Sequence, residues 1–201
     1  MRLYHAMSGN TKRVRIFLAE KQIEIPRVEL TLGTDTRTAA YRRINSLGEV
    51  PALQLDDGQV ITESRAICRY LDLAFPDIPL MGITAEEQGR IAMWSDRIHG
   101  HLFMAYGSMV RHRMPLFADV VEQVPTFAET QERLIPQKWA WLDEMLSDAS
   151  PFIAGEQFSF ADVEGMTVLM LAEATALDVP KTCPNARRWA DAMRRRPSWV
   201  A

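Results

Sequence analysis

The sequence predicts a two-part chain: an α/β domain of order βαβαββα over residues 1–75, then an all-α helical domain over 83–201, with 76–82 as linker. Three observations predict it. Short apolar runs alternate with polar residues in the first part, as strands with one buried face require. Nearly everything after the linker has helical spacing. Between the two, Phe75-Pro76-Asp77-Ile78-Pro79-Leu80-Met81-Gly82 carries two prolines and a glycine, which cannot continue a helix.

Taken in order, Arg2 to Met7 reads as a first strand, and Ser8-Gly9-Asn10-Thr11 as a loop of small polar residues. A helix follows with Val14, Phe17 and Leu18 on one face and Lys12, Arg13 and Arg15 elsewhere. Val28, Leu30 and Leu32 alternate as a second strand, and Thr38 to Ile44 forms a short, weakly marked helix before the Asn45-Ser46-Leu47-Gly48 loop. Leu53 and Leu55 mark a third strand. Asp57-Gly58 suits a two-residue hairpin turn, because both positions tolerate positive φ, and Val60-Ile61-Thr62 returns as the paired strand. Glu63-Ser64 opens a helix carrying Ala66, Ile67, Tyr70 and Leu71. In the second part, Thr84-Ala85-Glu86-Glu87 is a capping box opening a long helix through about Met109. Thr126-Phe127-Ala128-Glu129 opens another, with Pro136 as a kink or break. At Ser159-Phe160-Ala161-Asp162, Ser159 caps and Asp162 takes the third helical position, with Phe158 placed to staple on Val163. Pro184 starts the last helix and Pro197 stops it.

Composition bounds the function. With 47% hydrophobic and 24% charged residues over 201 positions, the chain is ordinary for a globular protein. A net charge of −3 argues against a nucleic-acid partner. No apolar run approaches the ~20 residues that cross a bilayer, and the N-terminus lacks a signal-peptide core, so a cytoplasmic protein without a membrane partner is expected. Two distant cysteines, Cys68 and Cys183, give no disulfide framework and fit a reducing compartment. The four histidines show no metal-ligand spacing, and no metal is expected.

The chemistry concentrates in Glu49 to Leu71, EVPALQLDDGQVITESRAICRYL. Pro51 stands directly before a strand, where a missing N–H would harm a central ladder. A cis Val50-Pro51 bond would reverse the chain and turn the polar groups of Val50 outward, where an extended peptide can pair as an added strand. The start of the next helix is an anion site by its free N–H groups and dipole, with Ser64 as a hydroxyl donor. Glu63 beside it offers a carboxylate for an ammonium. A ligand with a peptide backbone and an amino-acid head would satisfy all three; a plain hairpin with a helix cap explains the same residues.

VPAL followed by ESRAICRYL closely resembles the glutathione-binding half of the glutathione S-transferases, in particular bacterial-type, theta- or nu-like members with a serine or asparagine loop. The SxxD cap after FIAGEQF is similar to that family as well, where it is a folding element. The resemblance implies a thioredoxin-like first domain, a cis Pro51, pairing of Val50 with the cysteinyl backbone of glutathione, and γ-glutamyl recognition by Glu63 and Ser64. Glutathione enters as co-substrate, with no other cofactor. The loop after the first strand would face the thiol. It carries no cysteine, so a protein dithiol there is ruled out and activation of a bound thiol remains. A free thiol has pKa ~8.5, and lowering it by about two units takes roughly 2.7 kcal/mol. One donor to a charged acceptor supplies ~1.5–3 kcal/mol.

Family members suggest Ser8 and Asn10 as catalytic donors, Ser8 first because a hydroxyl rotates to meet the sulfur; both residues also read as plain caps of the first helix. Relatives often carry glutamine or lysine where this chain has Glu49, whose carboxylate would repel the glycyl carboxylate of glutathione; Arg37, Arg42 or Arg43 could compensate. Met7, Met104, Tyr106, Met109 and Arg111 are expected walls for a small hydrophobic electrophile, although a helical Met cluster is more often core. The activity implied is transfer of the glutathione thiolate to an electrophilic carbon. Glutathione-dependent disulfide or peroxide reduction without a protein cysteine, and a non-catalytic binding module, are the alternatives. A homodimer is expected, with Arg65, Arg69 and Tyr70 on the helix after the motif and Asp96 on the long helix available for pairing.

Overall fold

The computed structural model describes residues 1–146 and 150–201. They divide into two compact units, Met1–Met81 together with Pro197–Ala201, and Gly82–Arg196.

The first unit holds β1 (Arg2–His5), α1 (Gly9–Glu20), β2 (Arg27–Glu29), α2 (Ala39–Arg42), β3 (Ala52–Gln54), β4 (Val60–Thr62) and α3 (Ser64–Ala74). The sheet runs β2-β1-β3-β4, with β1 parallel to β2 and the other pairs antiparallel. Register puts Leu3 opposite Leu53 and Tyr4 opposite Ala52. Because side chains alternate along a strand, the two pairs point to opposite faces. Tyr4, Ala52, Ala6, Val50 and Tyr41 form one cluster. Leu3 and Leu53 serve the other face and are fully buried, as are Val14, Phe17, Ile67 and Leu71 of α1 and α3. This is the expected mixed, thioredoxin-like arrangement.

The expected two-residue turn at Asp57-Gly58 is instead a three-residue loop. Gly58 N–H donates to Leu55 C=O at 3.1 Å and Leu55 N–H to Gln59 C=O at 2.8 Å. Only Gly58 takes positive φ, at 87°, while Asp57 Oδ1 accepts from Gln59 N–H at 2.9 Å. A turn closed by one left-handed glycine needs no second such residue. β1 and β2 are shorter than the alternation suggested, and the weak second helix contracts to Ala39–Arg42.

Two tethers complete this unit. Lys21, 1% exposed at its side chain, pairs with Asp72 Oδ1 at 2.7 Å and donates to Ile78 C=O at 2.5 Å. Asp72 also accepts from the N–H groups of Leu80 and Met81. The linker is therefore fastened to α1 and α3 by a buried ion pair. At the other end, Lys12 donates to the carbonyls of Trp199 and Ala201, and the Ser198 hydroxyl to Glu20. These bonds explain why the last five residues join the first unit rather than the helical domain they follow in sequence.

The second unit comprises α4 (Ala85–Ile98), α5 (Met104–Arg113), α6 (Pro125–Met145), α7 (Phe160–Ala174) and α8 (Pro184–Arg194). α4 opens on the expected Thr84–Glu87 capping box. It continues through a π turn, His99–Phe103, into α5, so the expected single helix carries one widened turn. α6 passes through Pro136 without a break and begins at Pro125 rather than at the Thr126 motif. The Ser159–Asp162 box is present, and Asp162 does more than cap. Fully buried, it also accepts from Ile153 N–H and Trp189 Nε1–H, both at 2.9 Å. Phe158 meets the Phe152 ring and the Arg196 guanidinium. No helix of the described residues is long and apolar enough to cross a membrane.

Candidate functional site

The candidate site in the first unit is built from three loops: the start of α1, the segment before β3, and the start of α3. Ser8 is the N-cap of α1. Its Oγ accepts from Thr11 N–H at 3.1 Å and donates to Thr11 Oγ1 at 3.1 Å. Capping therefore engages both functions of the hydroxyl. Asn10, in the first turn, is exposed, and its Oδ1 accepts from Arg13 Nη1 at 2.7 Å. With the amide oxygen held inward, the NH2 group is the part of the side chain left for a ligand. Tyr4 lies in the sheet and donates to Gln54 Oε1 at 3.1 Å.

Before β3, the Val50-Pro51 bond is cis, as expected. Among the described residues, neither the N–H nor the C=O of Val50 takes a loop backbone hydrogen bond. The carbonyl immediately upstream is held twice: Glu49 C=O accepts from the Tyr41 hydroxyl and from Asn45 Nδ2, each at 2.7 Å. Burial pushes the Tyr41 hydroxyl up to about 12, with Tyr4 adding to it, so it stays a donor across the working pH range. Asn45 closes a local turn as well, accepting from Leu47 N–H at 3.2 Å. Gly48, at φ 65°, is required by close approach: a Cβ there would meet the Thr36 carbonyl oxygen at 2.7 Å. The Arg42 side chain lies on the same side of Gly48, whereas the Glu49 residue is exposed.

At the start of α3, Glu63 takes φ 64°. A non-glycine residue in that region costs of order 1–3 kcal/mol and persists where the surroundings over-determine it. Among the described residues no side chain caps this helix. The first-turn N–H groups and the positive dipole end are accordingly open to an anion. Ser64, 5% exposed, has its Oγ 2.7 Å from Arg13 Nη1.

Arg13 is the residue that sequence reasoning missed. It is fully buried on α1, and one of its nitrogens donates to both Asn10 and Ser64. Its position three and four residues before Ile16 and Phe17 was the available signal, since that spacing places it on the buried face of the helix. A buried guanidinium needs polar partners, and here they are the two ends of the site. Tyr41 and Asn45 were also missed.

Among the expected electrophile walls, Met7 belongs to the first unit and is 91% exposed. Met104 and Arg111 are exposed on α5 of the second unit. Tyr106 is not available as a wall. It is fully buried in the helical core, where its hydroxyl donates to Leu177 C=O at 2.5 Å and accepts from Trp139 Nε1 at 2.8 Å. Met109 is likewise core. Helical spacing alone does not separate a wall from a core position.

A four-stranded mixed sheet with an anion-ready helix start, followed by a helical domain, defines the class: a thioredoxin-like domain joined to an all-α domain. Residues 7–74 match the family model for the glutathione S-transferase N-terminal domain, and residues 103–197 that for the C-terminal domain. Glutathione S-transferase 2 of Saccharomyces cerevisiae is 32% identical over 192 residues, covering 92% of this chain and 82% of the yeast protein. Maleylacetoacetate isomerase of Pseudomonas aeruginosa is 27% identical over 216 aligned positions, covering 99% of this chain and 93% of that protein. A crystal structure of a glutathione S-transferase domain-containing protein from Marinobacter aquaeolei superposes with TM-score 0.92 at 32% identity, covering 99% of this chain and all of that one. The chain belongs to the glutathione S-transferase family.

Proposed function

We propose that this chain binds glutathione in its first unit, ionises the thiol, and transfers the thiolate sulfur to an electrophilic carbon of a small hydrophobic molecule. One observation carries the reading: Asn10 Oδ1 and Ser64 Oγ are each 2.7 Å from the same guanidinium nitrogen. The loop after β1 and the start of α3, far apart in sequence, thus stand side by side. In the bound state Val50 pairs with the cysteinyl backbone. Ser64 and the open N–H groups of α3 hold the γ-glutamyl carboxylate, and the Glu63 carboxylate its ammonium. Arg42, whose side chain lies near Gly48, is our choice among Arg37, Arg42 and Arg43 for the group that would offset Glu49 at the glycyl end. Asn10 and Ser8 face the sulfur. The sulfur forms the new carbon bond as the leaving group departs with its electron pair, and the thiol proton has already gone to solvent.

Calorimetry with glutathione, followed by turnover of a panel of electrophiles, mixed disulfides and peroxides, tests this. Conjugation is the expected result. Turnover confined to disulfides or peroxides would move the reading to glutathione-dependent reduction, with bound glutathione doing the redox work, because Cys68 and Cys183 are both buried. Absence of glutathione binding would overturn it. We further propose that the chain acts as a homodimer, drawing on Arg65 and Arg69 of α3 and Asp96 of α4. A single-subunit mass by light scattering at micromolar concentration would refute that.

A further inference from the structure

We infer that Arg13 is a positioning residue that aims two donors of the site at once, the amide of Asn10 toward the thiol and the hydroxyl of Ser64 toward the amino-acid head. The inference rests on the glutathione-binding reading above.

The chemistry follows from the donor inventory. A guanidinium only donates, so each group bonded to it must present an acceptor. Arg13 Nη1 takes the carbonyl oxygen of Asn10 and a lone pair of the Ser64 hydroxyl, both at 2.7 Å. An amide whose oxygen is fixed has its two N–H groups directed away from that oxygen. A hydroxyl whose lone pair is taken by a cation has its one proton left to give. Both side chains are thereby set as donors, which is the polarity that a thiolate and a carboxylate need. The cation behind them also draws electron density from the N–H and O–H bonds and strengthens them as donors, an effect that persists because Arg13 is fully buried. The guanidinium stays charged throughout, since arginine does not deprotonate in proteins. Arg13 itself touches neither reacting atom; it acts through the two groups it holds.

A shared anchor makes its two clients energetically coupled, and coupling is measurable without replacing the buried arginine. Asn10→Ala, Ser64→Ala and the double variant are made in the full chain, and glutathione affinity is read by calorimetry. Ser64→Ala is expected to weaken binding in the wild-type background by a different factor from that in the Asn10→Ala background, the two differing by at least about twofold. Arg13→Lys keeps the charge but not the planar fork. In the folded variant it is expected to weaken glutathione binding and raise the bound thiol pKa together, a pair of changes that a merely structural role would leave alone. Losses that simply multiply in the double variant overturn the inference, whatever Arg13→Lys does. If the wild-type chain fails to bind glutathione, the functional reading falls and this inference with it. Binding by the wild type with multiplicative losses overturns the inference alone.

Discussion

Replacing Asn10 with alanine is expected to raise the pKa of the bound glutathione thiol by about one to two units, and replacing Ser8 by less than about one. The difference comes from what each side chain is already doing. To donate to a thiolate, Ser8 must give up its bond to Thr11 Oγ1. A neutral bond of that kind is worth ~0.5–1.5 kcal/mol and a bond to an anion ~1.5–3 kcal/mol, so the net gain is only about 1–1.5 kcal/mol. Asn10 makes no such exchange, because Arg13 holds its oxygen and not its NH2 group. Its full ~1.5–3 kcal/mol is available to the thiolate. Ser8→Ala carries a separate cost of ~0.5–2 kcal/mol in stability through loss of the cap on α1. The assay is thiolate absorbance of the glutathione complex against pH for both variants, with thermal unfolding recorded alongside. Turnover near neutral pH is expected to fall roughly tenfold in Asn10→Ala and to recover partly as pH rises. A larger pKa change in Ser8→Ala than in Asn10→Ala would refute the reasoning and return the thiol to the serine. No change in either would assign the thiolate to the open backbone N–H groups of α1.

Ser64→Ala is expected to weaken glutathione binding roughly tenfold, the loss of one donor to a carboxylate; unchanged affinity in calorimetry removes Ser64 from the site. Lys21→Ala is expected to cost about 3 kcal/mol in urea unfolding, the lower end for breaking a buried pair, because two amides still hold Asp72. A loss below about 1 kcal/mol would show that this pair is solvated in the folded chain. Asp162→Asn is expected to destabilise at every pH, since its NH2 group must face donors that now point at a carboxylate oxygen. Its deficit should also depend on pH. Burial pushes the Asp162 carboxyl up to about 6, against hydrogen bonds that pull it down. A carboxyl raised on folding favours the native state below its unfolded pKa and loses that contribution as pH rises through the folded one. The gap between wild type and Asp162→Asn should accordingly narrow between about pH 4 and pH 6, by up to roughly 3 kcal/mol. A gap constant over that range in urea titrations contradicts the raised pKa.

The fold was legible wherever a signal is local. The order of strands and helices and both capping boxes are written in short stretches, because turn chemistry and caps act over four residues or fewer. Misreadings fell where tertiary contacts decide. Pro136 sits inside α6, which packing carries across it. The Asp57-Gly58 turn took a third residue because Asp57 bonds Gln59 rather than adopting a left-handed conformation itself. The last five residues joined the first unit through Lys12 and Glu20, bonds across nearly the whole chain that no window of sequence contains. Tyr106 shows the same limit from the other side: a helical stripe says that a face is apolar, not whether its partner is a ligand or the core.

The candidate site was legible in what it presents and not in what supports it. Val50, Glu63 and Ser64 lie in one short stretch, where the sequence alone makes them candidates. Arg13, Tyr41 and Asn45 could not be named that way, since each earns its place by a bond to another segment or by closing the loop around it. One local contrast does separate the site from ordinary helix starts. At α4 and α7 the capping box is closed on both sides, Thr84 with Glu87 and Ser159 with Asp162, so the chain satisfies its own first turn. At α1 the cap is one-sided: Ser8 holds Thr11, and no acidic residue follows in the first turn. At α3 no side chain caps at all among the described residues, and Glu63 sits at positive φ in the cap position. Among the described residues, these two helix starts leave first-turn donors to solvent or a ligand, and one buried arginine links them. On the proposed reading, the thiolate of glutathione faces the first of them and its γ-glutamyl carboxylate the second.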